Sequence, residues 1–198
     1  YGLPYERTPG NPLRNVLIIG AGSGSDVAIT LAKGAQHVDA VDIDPRIMQL
    51  GMEKHPDHPY DNPLVTRHVN DGRAYLEATD TKYDLILFAL PDSLALVTGA
   101  SQIRLESFLF TEQALTAAKE HLTPEGAFAM YNYYREDWLI DRLAGTAEAA
   151  FGHVPCVDLV GNGQAVVSAA LDENKKLPDK VFAFLKERIG LDVASVGE

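Results

Sequence analysis

The sequence is short of the residues that would place it in several broad classes. It contains one cysteine, Cys156, so no disulfide can close within the chain, and the composition suits a reducing compartment such as the cytoplasm. No run of about 18 apolar residues is present to cross a bilayer, and no charged-then-apolar segment opens the chain as a secretion signal. Basic residues are scarce: 17 Lys and Arg stand against 28 Asp and Glu, a formal charge of −11. A surface of that sign repels phosphate backbones and anionic lipid unless a local basic patch overrides it. The nearest approach to such a patch is Lys175-Lys176. Contact with nucleic acid or directly with a membrane is therefore not expected. Internal repeats and low-complexity tracts are absent as well.

What remains is a chain of 198 residues, 46% of them hydrophobic, enough for one domain with a full-sized core. Residues 1–12 are rich in Gly and Pro and read as a linker or the end of a preceding region, with a single α/β domain over 13–198. Because the first residue is Tyr1, a longer parent polypeptide is expected. The soluble part of a membrane-attached protein is one form it can take. Homodimerisation stays open.

Short apolar runs alternate with amphipathic ones. Val16 to Ile19 is a strand core ending at glycines, and Ser25 to Lys33 follows at helical spacing. The alternation continues with a strand at His37 to Val41, a helix from Pro45 to Lys54, a strand at Leu64 to Val69 and a helix from Asp71 to Ala78. Pro45 suits a first helical turn and Asp71 an N-cap. Tyr83 to Leu90 is the most apolar strand, Thr111 to Leu122 a helix stopped by Pro124, and Ala127 to Tyr131 a fifth strand. Glu136 to Phe151 reads as a helix, Val154 to Val160 and Gln164 to Leu171 as a hairpin across Gly161-Asn162-Gly163, and Leu177 to Ile189 as a last helix. This pattern predicts a doubly wound, mostly parallel Rossmann-like α/β sheet with an antiparallel edge hairpin near the C-terminus. Pro91 to Phe108 is the long irregular stretch, of a length common in binding loops.

One constellation carries chemistry. Gly20, Gly22 and Gly24 follow the first strand, where absent side chains let the chain bend sharply and let a ligand approach the backbone. Asp42, ending the second strand, can accept hydrogen bonds from a ribose diol, and Asp71-Gly72 follows the third strand where an adenine amino group would lie. All three sit on the carboxyl edge of the predicted sheet, where ligands of open α/β folds bind. A dinucleotide fingerprint would place a third glycine at Ser25, which makes NAD, and with it an NAD-linked oxidoreductase, the less favoured reading.

Four ordered stretches, from Val16 to Gly24, Val41 to Pro45, Asn70 to Gly72 and Tyr83 to Ile86, resemble the spermidine synthase family. The resemblance implies the class I S-adenosylmethionine methyltransferase fold. It also implies decarboxylated S-adenosylmethionine, or S-adenosylmethionine itself, as cofactor, with an aminopropyl or methyl group passing to a small acceptor such as an amine. By it, Asp42 would bind the ribose, Ile43 would flank the adenine and Asp71 would contact its amino group. The family's Asp-Ser-Ser-Asp-Pro after strand four stands here as Ala89-Leu90-Pro91-Asp92-Ser93, which leaves Asp92 as candidate base or amine ligand. Ser23 replaces an aspartate that tends to hold the cofactor's propylamine.

Tyr131 and Tyr133, together with Asn132 and Tyr134, follow the fifth strand and are candidates to wall the acceptor. Arg104 could clamp a carboxylate or make a loop salt bridge. His55, Asp57, His58 and Asp61 are interleaved with prolines and read as a polar loop, not a metal site. Asp26 fits either a helix start or a cofactor contact. A catalytically retired domain that binds a nucleoside or serves assembly is the remaining alternative, made credible by Ala89.

Overall fold

A computed structural model describes residues 2–6, 12–89, 109–134, 137–160 and 164–171. The expected Pro91–Phe108 loop, the turn at 161–163, the helix at Leu177–Ile189 and the Lys175-Lys176 pair lie outside the described residues, as do the candidates Asp92 and Arg104.

The chain order is α1 (Leu3–Glu6), β1 (Asn15–Ile19), α2 (Ser25–Ala32), β2 (His37–Asp42), α3 (Pro45–Lys54), a 3-10 turn (Pro59–Asp61), β3 (Val65–Val69), α4 (Gly72–Ala78) and β4 (Tyr83–Ala89). It continues through α5 (Glu112–Glu120), β5 (Leu122–Tyr133), α6 (Asp137–Phe151), β6 (Cys156–Val160) and β7 (Gln164–Ala170). One seven-stranded sheet runs β3-β2-β1-β4-β5-β7-β6. The first five strands pair in parallel and β7 and β6 pair antiparallel. The predicted doubly wound sheet and its edge hairpin are therefore both present.

The sheet is central because its strands are apolar on both sides. Every residue of β4 is buried, as befits a parallel strand covered on both faces. On one face Val16, Ile18, Val38, Ala40, Leu85 and Leu87 meet Tyr5, Val27 and Met48 from α1, α2 and α3. On the other, Leu17, Ile19, Val41, Ile86, Phe88 and Phe128 meet Leu76, Leu115, Ala118, Leu143 and Ala147 from α4, α5 and α6. Residues 2–6 fall in the stretch read as a linker, yet Tyr5 packs into the core and its hydroxyl bonds Thr30.

The capping chemistry matches the residues. Asp44 accepts from the Arg46 amide at the start of α3 with Pro45 at its first position, and Thr111 accepts from the Ala114 amide at the start of α5. One boundary differs from expectation. Pro124 does not stop a helix; α5 ends at Glu120, and Pro124 lies inside β5. The pairing of β4 with β5 jumps from Tyr83↔Leu122 to Leu85↔Ala127, so no ladder amide is required of residue 124.

Two buried carboxylates fasten the sheet at its amino end. Asp84 accepts from the amides of Arg14 at 2.8 Å and Asn15 at 3.2 Å and from the Thr123 hydroxyl at 2.9 Å, tying β1, β4 and β5 together. Asp39 accepts from the Tyr83 hydroxyl at 2.9 Å and lies 2.8 Å from Nε2 of His68 and 3.3 Å from that of His37. Because Tyr83 is fully buried, removing Asp39 leaves its hydroxyl with the Tyr75 hydroxyl, 3.1 Å away, in place of a charged acceptor. Asp39→Ala is expected to destabilise the fold by about 2–4 kcal/mol, read as a lowered urea midpoint. Asp39→Asn, which keeps an acceptor oxygen, should lose less than half as much.

Candidate functional site

Strand order reverses between β1 and β4, so the carboxyl ends of β1, β2 and β4 border an open crevice. Gly20, Gly22 and Gly24 build the turn from β1 into α2, with φ of 82°, 54° and 96°, values that side-chain-bearing residues rarely adopt. The turn is fixed from three directions. The Gly22 amide donates to Asp42 Oδ2 at 2.7 Å. The Tyr60 hydroxyl donates to the Gly22 carbonyl at 2.8 Å. A Cβ placed on Gly51 of α3 would fall 2.3 Å from the Ser23 carbonyl oxygen, so α3 rests directly on the turn's backbone.

Asp42 completes the cradle with its other oxygen, which accepts from the Asp44 amide at 2.8 Å. Two backbone donors thus orient the carboxylate, and each oxygen retains a lone pair for a further donor such as a ribose hydroxyl. Ile43 follows at 51% exposure, an apolar side chain left in water beside that carboxylate. Asp71 caps α4: its Oδ1 accepts from the amides of Arg73 and Ala74, both at 3.0 Å. Its Oδ2 takes no hydrogen bond among the described residues, which leaves it able to meet an exocyclic amine. Gly72 serves packing, since a Cβ there would lie 2.3 Å from Ile19 Cγ2. No side chain caps the first amides of α2, because the residue before it is Gly24. The residues therefore fit an adenine nucleoside.

The acceptor side is only partly on view. Tyr131 and Tyr133 share one face of β5. Tyr131 donates to Asp26 Oδ1, while Tyr133 is 50% exposed. Asn132 and Tyr134 point the other way and are buried. Burial lifts the Tyr134 and Tyr60 hydroxyls well above the usual phenol range. His55 and Asp57, 4.0 Å apart, and His58 and Asp61, 3.8 Å apart, form two separate pairs. Among the described residues no three such side chains gather round a point.

The sequence reading missed Tyr60 and Gly51. Tyr60 sits in the polar segment set aside as a loop, and an aromatic framed by Pro59 and Pro63 was the available signal. Gly51 looked like an ordinary helical residue, and only tertiary contact reveals its use.

The sequence profile of the spermine/spermidine synthase domain matches residues 3–155. The chain belongs to that family. A polyamine aminopropyltransferase of Prochlorococcus marinus is 27% identical over 157 residues, covering 72% of this chain and 52% of the relative. One from Alkaliphilus metalliredigens is 29% identical over 126 residues, covering 62% of this chain and 41% of the relative. The chain thus spans about half the length of these curated relatives. Among solved structures, spermidine synthase from Thermotoga maritima matches with a TM-score of 0.66 at 19% identity, over 92% of this chain and 62% of that one. Human methyltransferase-like protein 13, in complex with SAH, gives 0.67 at 22%, over 98% and 90%. At such identities the likeness establishes the class I methyltransferase fold. No helix among the described residues is long and apolar enough to cross a membrane.

Gly51→Ala tests the clamp. Its Cβ has no room against the Ser23 backbone, so a loss of about 1–3 kcal/mol in urea unfolding is expected. Gly145→Ala, on α6 with nothing within 4 Å of the added carbon, should be neutral or stabilising by up to about 1 kcal/mol.

Proposed function

We propose that this domain binds decarboxylated S-adenosylmethionine, or S-adenosylmethionine, and transfers its aminopropyl or methyl group to a small amine. The observation that carries the reading is the Asp42 carboxylate, oriented by the Gly22 and Asp44 amides at the carboxyl end of β2. Around it Gly20, Gly22 and Gly24 offer backbone without side chains, Ile43 an apolar face and Asp71 an acceptor oxygen. Membership of the spermine/spermidine synthase domain family supports aminopropyl transfer as the first form of the reaction and an amine as the acceptor. The cytoplasm suits such chemistry, whether the domain acts alone or as the soluble part of a membrane-attached protein.

When bound, the sulfonium supplies an electrophilic carbon and a neutral thioether leaving group. The protein's task is then to align the nucleophile with that carbon, and positioning of this kind provides several kcal/mol of barrier reduction on the order of 7–11 in well-oriented systems. An amine that arrives protonated must first lose a proton to a base. Asp92 is proposed for that role, and Tyr133 and Arg104 for contact with the acceptor.

Thermal shift with four ligands tests the reading: S-adenosylmethionine, its decarboxylated form, methylthioadenosine and NADH. At a hundredfold excess over Kd a bound ligand adds about 2.7 kcal/mol of stability, a readily measured rise in Tm. One of the first three should produce it, NADH should not, and Asp42→Ala should abolish it. A rise with NADH alone would overturn the assignment. Release of methylthioadenosine on incubation with amines identifies aminopropyl transfer, and S-adenosylhomocysteine identifies methyl transfer.

A further inference from the structure

One ionisable side chain at the carboxyl edge of the sheet takes no part in the nucleoside cradle. Asp26 is the second residue of α2, two positions beyond Gly24, yet it is only 7% exposed. Its carboxylate does not turn back to cap the helix that carries it. It reaches across the sheet, where Oδ1 accepts from the hydroxyl of Tyr131, 105 residues away on β5. Oδ2 takes no hydrogen bond among the described residues.

The bond spans the tip of β4, the strand between β1 and β5. There Ala89 pairs in register with Tyr131 and is buried in the same apolar cluster, presenting only a methyl group. Among the described residues no lysine, arginine or histidine forms an ion pair with Asp26. The ionisable side chains around it are instead phenols: Tyr131 bonds it, and the hydroxyls of Tyr5 and Tyr60 are both held in protonated form partly by its charge.

A carboxylate removed from water with one neutral hydrogen bond is costly. Burial accordingly pushes the Asp26 carboxyl above its ordinary range, and the Tyr131 hydroxyl, followed by the positive charge of the chain's amino terminus, offsets only part of that shift. A helix start would be served equally well by an acid facing solvent. The arrangement becomes favourable when a cation arrives. A carboxylate with a spare oxygen, set among aromatic rings, is the chemistry that holds an alkylammonium group, through a charge-assisted hydrogen bond and contact with ring faces.

On the transferase reading above, we infer that Asp26, held in place by Tyr131, is the carboxylate that binds an alkylammonium group of a ligand in this site. That group is either the amine on the tail of the nucleoside donor or the amine of the acceptor. Both present the same chemistry to Asp26.

Calorimetric titration of the full chain distinguishes the two sources. The probes are methylthioadenosine, which has no amine tail, decarboxylated S-adenosylmethionine, which has one, and 1,4-diaminobutane added to protein saturated with methylthioadenosine. For Asp26→Asn, methylthioadenosine should bind within twofold of the wild type. Decarboxylated S-adenosylmethionine should weaken by at least about tenfold if the ammonium is the donor's, and diaminobutane by a similar factor if it is the acceptor's. Tyr131→Phe keeps the charge and should weaken the same ligand by a smaller factor.

If Asp26→Asn takes every probe as the wild type does, the assignment fails while the transferase reading stands. Parallel loss of methylthioadenosine would make Asp26 a support for the nucleoside cradle and would also overturn the assignment. A wild-type chain that takes none of the probes defeats the transferase reading and this assignment together.

Discussion

The amide of Gly22 reaches the carboxylate of Asp42 at 2.7 Å, and most of the site depends on that one bond. It ties the turn leaving β1 to the end of β2, so the two strands set the turn's position. The carboxylate would otherwise swing freely at a strand end. Bonded to Gly22 on one oxygen and to the Asp44 amide on the other, it is oriented before any ligand arrives, which lowers the ordering cost of binding. Tyr60 above and Gly51 below then close on a turn whose path is already determined.

On the proposed function, binding and group transfer draw on different parts of the molecule. The nucleoside end rests on the backbone of Gly20, Gly22 and Gly24 and on two carboxylates, Asp42 and Asp71, each held by its own hydrogen bonds. The reactive end would rest on side chains from the glycine turn and the tips of β4 and β5, where Ser23 and Ala89 stand in place of the aspartates that the resemblance leads one to expect. Asp26 follows Ser23 by three residues, in the first turn of α2.

Much of the fold could be read in advance because its signals are local. Continuous apolar runs at Val16–Ile19 and Leu85–Ala89 have no use except in a strand covered on both faces, and Asp44-Pro45, Asp71 and Thr111 mark helix starts through hydrogen bonds to their own next turn. Glycines, Asp42 and Asp71 announced the cradle for the same reason. Pro124 misled because a missing amide normally ends an element, whereas here a register jump removes the need for it. Gly51 was illegible because its value lies in a backbone contact with Ser23 that leaves no trace in neighbouring residues, and Tyr60, though framed by prolines, gave no sign that its hydroxyl bonds Gly22. Asp26 was visible as an acid at a helix start, and only the distant Tyr131 shows that it faces inward.

The span of sequence that each half of the site draws on has a consequence for how the chain acquires it. The hydrogen bonds that hold the glycine turn join residues no farther apart than Gly22 and Tyr60, 38 residues. The Asp26–Tyr131 bond must wait for β5 to return across 105 residues. Loop closure costs more as separation grows. A chain emerging from synthesis can thus form the glycine turn and its supports before the carboxylate of Asp26 gains its partner on β5.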